Sequence, residues 1–165
     1  MSKIYVVDTS YLLELYKVPG SSSAVLYEPV KERIARAIKD KAMLFIPLPC
    51  VIEFASHLAD AADKQTALSI ARAFKVELAL SLENKGVWRV TPCYDSPRAF
   101  HDGFGTFISD HLLAGVGLCD SFTIAEATRL AEKYESFGYR VHVLTLDEAL
   151  KAHEPHTEED PFVGL

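Results

Sequence analysis

The sequence predicts an α/β protein, a three-layer, mostly parallel twisted sheet of four to five strands flanked by helices. Three observations lead there. Short apolar runs recur at Ile4–Val7, Met43–Ile46, Gly86–Val90 and Val141–Leu144. The strongest of them are continuously apolar, as expected of strands buried on both faces. Segments of helical periodicity separate them, which implies parallel pairing through crossover connections.

The elements follow in chain order. The first strand ends at Asp8, and Thr9 or Ser10 can cap a short helix through Leu15. Pro19-Gly20 and three serines form a loop. A helix over Glu28–Lys41 carries Val30, Ile34, Ala37 and Ile38 on one face. After the second strand, Pro47 and Pro49 lead into a helix over Cys50–Ala61, with Glu53 in its first turn. Gln65–Leu82 is a long amphipathic helix, and Pro92 stops the third strand. Residues 93–117, rich in Gly, His and aromatics, read as irregular with room for one short helix. A helix over Ser121–Phe137 stops near Gly138, a plausible C-cap. Asp147–Ala152 is a short helix and Phe162–Leu165 a candidate final strand.

A length of 165 residues suits one core, so residues 1–153 are expected to form a single domain, followed by an acidic tail over 154–165. His153 and His156 there are expected to be solvated. No run of 18 apolar residues occurs and the N-terminus lacks the pattern of a signal peptide, so the expectation is a cytoplasmic protein without a membrane span. Cys50, Cys93 and Cys119 show no CxxC spacing and read as reduced, small buried hydrophobes.

A net charge of −6 argues against a polyanionic partner. The distribution softens that objection. Set apart the tail acids Glu154, Glu158, Glu159 and Asp160 and the four acids singled out next, and 15 of the 23 acids remain against 17 bases.

Those four acids are Asp8, Glu53, Asp120 and Asp147. Asp8 and Asp147 follow the apolar runs VV and VLTL, Asp120 opens a helix, and Glu53 lies near the start of the helix after the second strand. In a parallel sheet all four fall at the carboxyl edge, where such sheets bind ligands. Carboxylates converging there repel one another unless a cation holds them. Oxygen donors without a Cys/His cluster favour Mg²⁺ or Mn²⁺. Each acid also has a structural reading: Asp8, Asp120 and Asp147 as helix caps, Glu53 as a solvated flank. Only the set makes a metal pocket the better reading.

The segments VVDTSYLLEL, PCVIEFASHL, GLCDSFTIAEATRL and VLTLDEAL, taken in that order, resemble the four acidic motifs of PIN-domain nucleases. The resemblance spans nearly the whole chain, with Ala125, Ala127 and Thr145 among the matching positions. It implies Mg²⁺ or Mn²⁺ held by Asp8, Asp120 and Asp147, with Glu53 completing the catalytic set. Ser10 and Thr145 would support a carboxylate or phosphate oxygen, and the substrate would be single-stranded RNA. Many members are toxins paired with an antitoxin protein, others process RNA, and homodimers are common. The 93–119 segment and the acidic tail depart from the compact toxin pattern. The alternative is a catalytically silent PIN-like module that binds RNA or protein.

RNA needs cations. The densest basic stretch holds Lys31, Arg33, Arg36, Lys39 and Lys41, although these are spread around their helix as on an ordinary solvated face. Arg98 near Phe100, Phe104 and Phe107 offers a second candidate, where rings could stack on unpaired bases. His101-Asp102 and Asp110-His111 could bind zinc, but ordinary loop hydrogen bonds are the simpler reading. Other α/β functions lack their motifs: there is no Asp-x-Asp after the first strand, no GxGxxG, no GxxxxGK and no GxSxG.

Overall fold

In the computed structural model, which describes residues 2–164, four parallel strands form one sheet in the order β3-β2-β1-β4. The strands are β1 (Lys3–Val7), β2 (Met43–Pro47), β3 (Trp88–Thr91) and β4 (Arg140–Leu144). The register aligns Ile4 with Met43 on one side and Val141 on the other, which brings the carboxyl ends of β1 and β4 level. Side chains of β1 alternate between faces, with Tyr5 and Val7 in one buried cluster and Ile4 and Val6 in the other.

The first cluster is covered by α1 (Thr9–Leu15), α2 (Ala24–Lys39), α3 (Leu48–Asp60) and α4 (Lys64–Leu82). Phe54 and Phe74 pack there with ring centroids 4.8 Å apart, and Tyr16 closes on both. The second cluster is covered by α6 (Leu118–Tyr134) through Ala127 and Leu130, and by Leu150 of α7 (Glu148–Lys151). The chain winds outward from β1 to β3 and then crosses back to β4, so the winding reverses between β1 and β4. That reversal is where α/β sheets open a crevice at their carboxyl edge.

The 93–117 segment is largely helical, contrary to the irregular reading. α5 (Pro97–Thr106) runs into a π-helical turn, Phe107–His111, and a 3₁₀ turn, Leu112–Ala114. Ser96 caps α5 through the Ala99 amide, with Pro97 in the first turn. Two glycines hide this helix in the sequence, and Gly103 has a packing reason. A Cβ there would meet Phe122 Cε1 at 2.7 Å. His111 is buried and shares a hydrogen bond with Ser121 Oγ at 2.7 Å. His101 is paired with its neighbour Asp102 on the exposed face.

Smaller boundary shifts have local causes. Ser23 caps α2, which begins at Ala24, four residues before the expected start. Pro47 caps α3, so Glu53 falls in the second turn rather than the first. Asp120 lies inside the first turn of α6, with Gly117 at the cap position.

The acidic tail folds back against the sheet, with Glu159 and Asp160 exposed and Glu158 turned inward. Glu158 is buried, accepting from Tyr5 Oη at 3.0 Å and ion-paired with Arg33 at 2.6 Å and Lys151 at 2.9 Å. Glu154 accepts from the Val143 amide at 3.0 Å, and His156 Nδ1 accepts from the Val141 amide at 3.1 Å. These side chains satisfy the free edge of β4, which would otherwise expose unpaired backbone donors. Residues 162–164 form no strand; Leu165 lies outside the described residues. His153 is exposed, as expected, whereas His156 is committed to β4. Among the described residues, no helix is long and apolar enough to cross a membrane.

Burial by itself would raise the Glu154 carboxyl, but hydrogen bonds from His142, Lys151 and the Val143 and Glu158 amides hold it down at about 2, below its ordinary 4.5. A depressed carboxyl stabilises the fold above its unfolded pKa, and that contribution is lost as pH falls toward the folded value. It amounts to about 3 kcal/mol at neutral pH, from roughly 1.4 kcal/mol per tenfold change. Denaturant unfolding of Glu154→Gln should show lower stability at pH 7 and a flatter decline between pH 5 and 2; parallel acid limbs would contradict this. Gly103→Ala should lose about 1 kcal/mol despite its better helix propensity, because the added methyl overpacks Phe122. An unchanged urea midpoint would contradict the close packing.

Candidate functional site

Asp8, at the end of β1, is buried and caps α1. Its Oδ2 accepts from the Ser10 amide at 3.2 Å, Ser10 Oγ at 2.7 Å and Thr145 Oγ1 at 3.0 Å. Burial raises its pKa, and hydrogen bonds from Ser10, Thr145 and the Thr9 amide oppose that rise. The two hydroxyls also accept: Ser10 Oγ across the switch point from the Leu146 amide at 2.9 Å, and Thr145 Oγ1 within its own turn from the Asp147 amide at 3.0 Å. The β1–α1 and β4–α7 turns are thereby tied through one carboxylate.

The other three acids are each held locally. Glu53 Oε2 accepts from Thr9 Oγ1 at 2.6 Å. Asp120 accepts from the Gly117 amide, as an acid in the first turn can. Asp147 caps α7, its Oδ1 accepting from the Ala149 amide at 2.7 Å and the Leu150 amide at 3.2 Å. The capping readings of Asp8 and Asp147 therefore hold alongside their shared position. All four acids line one cleft of about 240 Å³, together with Thr9, Ser10, Leu13 and His57.

The electrostatics register this convergence. Asp120 is pushed up to about 6, first by burial and then by the charges of Asp8, Asp147 and Glu53. Repulsion of this kind stores free energy that a cation in the cleft would release. The donor set is hard oxygen, which suits Mg²⁺ or Mn²⁺ in its chemistry. Among the described residues, however, no three His, Cys, Asp or Glu side chains stand ready to hold an ion. Each carboxylate instead faces its own local donors.

Two lining residues escaped the sequence reading. Neither Thr9 nor Ser10 is the cap of α1, since Asp8 fills that position, and the Thr9 hydroxyl instead donates to Glu53. His57 follows Glu53 by four residues, one helical turn, which is the signal that could have found it. Its Nδ1 shares a hydrogen bond with Ser21 Oγ at 3.0 Å. Cys50 and Cys119 meet at the base of the acids with sulfurs 3.7 Å apart, and Cys50 Sγ lies 4.0 Å from Asp8 Oδ1.

The basic residues divide. Arg33 is bound to Glu158, its side chain only 11% exposed, which removes it as a ligand-binding candidate. With Arg36 it lines a cavity beside Lys3 and Asp40, at the amino edge of the sheet and away from the acids. Lys31 pairs with Glu28 beside the Tyr27 ring. Arg98 is exposed and ion-paired with Asp102. It precedes Phe100, which lines an apolar groove with Tyr94, Phe122 and Cys119; Glu53 borders both this groove and the acidic cleft.

No protein-family model matches the chain, and a search of curated proteins returns no match.

A carboxyl with a raised folded pKa binds protons more tightly in the folded state, so its charge destabilises the fold as pH rises through about 6. In metal-free buffer, Asp120→Asn should therefore raise stability at pH 7.5 by about 1–3 kcal/mol. The gain should vanish near pH 4. Equal or lower stability of the variant at pH 7.5 would contradict the repulsion described.

Proposed function

We propose that this protein is a Mg²⁺- or Mn²⁺-dependent endoribonuclease of the PIN-domain type, acting on single-stranded RNA. The observation that carries the proposal is the convergence of Asp8, Glu53, Asp120 and Asp147 on one cleft at the carboxyl edge of a parallel sheet. Three of these acids raise the pKa of the fourth, the electrostatic condition that favours a divalent cation. The order of the acidic motifs in the sequence supports the same family.

In this reading Asp8, Asp120 and Asp147 hold the ion. Ser10 and Thr145 keep the Asp8 carboxylate in one orientation by donating to Oδ2. Thr9 fixes Glu53, which orients the attacking water through its free oxygen. A divalent ion held by these acids would supply Lewis-acid polarisation of the scissile phosphate and a lowered water pKa. Exposed aromatic surface along α5, with Arg98, offers unpaired bases a stacking face.

A second reading, a catalytically silent module, is favoured by one observation: all four acids are engaged by local donors and no three form a ready ligand set. The two readings separate in one assay. Wild-type protein should cleave an end-labelled single-stranded RNA in Mn²⁺ or Mg²⁺ and not in EDTA. Asp8→Asn should fall to background while keeping its circular dichroism spectrum. Full activity of that variant would overturn the mechanism, and intact RNA together with no Mn²⁺ binding would establish the silent module.

A further inference from the structure

We propose that Cys50 and Cys119 are a thiol pair that peroxide in excess closes to a disulfide directly beneath the acidic cleft. The two thiols come from the first turns of α3 and α6, and their sulfurs lie 3.7 Å apart. A disulfide requires about 2.05 Å. The remaining gap of under 2 Å lies within what side-chain rotation and a small helix shift supply. The residues are 69 apart in sequence, so only the fold brings them together.

The surroundings assign different roles to the two sulfurs. Cys119 is partly exposed and lines the apolar groove of about 320 Å³ beside Glu53, which gives a small oxidant a route to it. Cys50 is fully buried behind it. Cys93, the third thiol, has its sulfur against Thr91. A hydroperoxide reaching the groove oxidises Cys119: the thiol gains oxygen as a sulfenic acid, and the peroxide is reduced to water or an alcohol. The Cys50 sulfur then attacks the sulfenic sulfur, forming the S–S bond and expelling water. Two thiol hydrogens are lost in all, and one peroxide is consumed. The hydrogen bond that Cys119 shares with Cys50, then burial and the neighbouring carboxylates, favour the protonated Cys119 thiol, so the reaction needs excess oxidant.

The crosslink would act on the site above it. It withdraws the Cys50 thiol from Asp8 Oδ1 and from Thr123 Oγ1, 3.4 Å away. It also staples the helix turns that precede Glu53 and carry Asp120. The consequence for cleavage rests on the ribonuclease reading; the crosslink itself does not.

The test is mass spectrometry of the full-length protein after hydrogen peroxide treatment under native conditions. The expected result is loss of the mass of two hydrogens, a single linked peptide pair containing Cys50 and Cys119, and restoration by dithiothreitol. Cys93→Ser should still form the link, and Cys119→Ser should not. Cys119 recovered as sulfinic or sulfonic acid beside a free Cys50 would overturn the proposal, as would a link through Cys93. If the wild-type protein cleaves RNA, oxidation should reduce cleavage and dithiothreitol should restore it. Mapping of the link reads the same whether or not cleavage occurs, so failure of the ribonuclease reading and failure of the thiol pair are distinguishable.

Discussion

A carboxylate buried at the end of a central strand is costly unless donors meet it. Asp8 is met by Ser10 from the helix that follows its own strand and by Thr145 from the end of the neighbouring strand. Those same hydroxyls accept the amides of Leu146 and Asp147. One buried acid thereby fixes two turns, and the two turns fix where Asp147 stands. Parallel register does the rest, because it levels the carboxyl ends of β1 and β4 and opens the crevice between them. The cleft follows from a sheet that reverses its winding beside a buried Asp.

The site is in tension by construction. Four acids share one cleft, and each accepts from a different local donor. The caps and hydroxyls that orient the carboxylates also compete with a cation for their oxygens. Binding an ion therefore asks for small rotations of side chains already in place, and it would relieve the burial and like-charge repulsion that raise the Asp120 carboxyl.

Much of this was legible in the sequence. The strands were readable as short, largely apolar runs of four or five residues separated by helical segments, and the acids at their ends were readable because strand direction dictates the edge. α5 was hidden by Gly103 and Gly105, which lower helix propensity; the contact that demands Gly103 comes from Phe122, 19 residues away in sequence. The packing of the tail was not legible, because charged residues usually face water. Nothing local tells that Arg33 and Lys151 are turned inward to meet Glu158. The apparent basic face of α2 shrinks for the same reason. Thr9 and His57 were within reach through their spacing, but the meeting of Cys50 with Cys119 was not, since it depends on how α3 and α6 pack.

The central claim is that the four acids make one divalent-cation site. A crystal structure of the protein soaked in Mn²⁺, with anomalous data, tests it most directly. One or two anomalous peaks are expected in the cleft, within ligand distance, roughly 2.0–2.6 Å, of Asp8, Asp120 and Asp147 oxygens. Mn²⁺ sites found only elsewhere on the surface, with the four carboxylates still on their local donors, would contradict it.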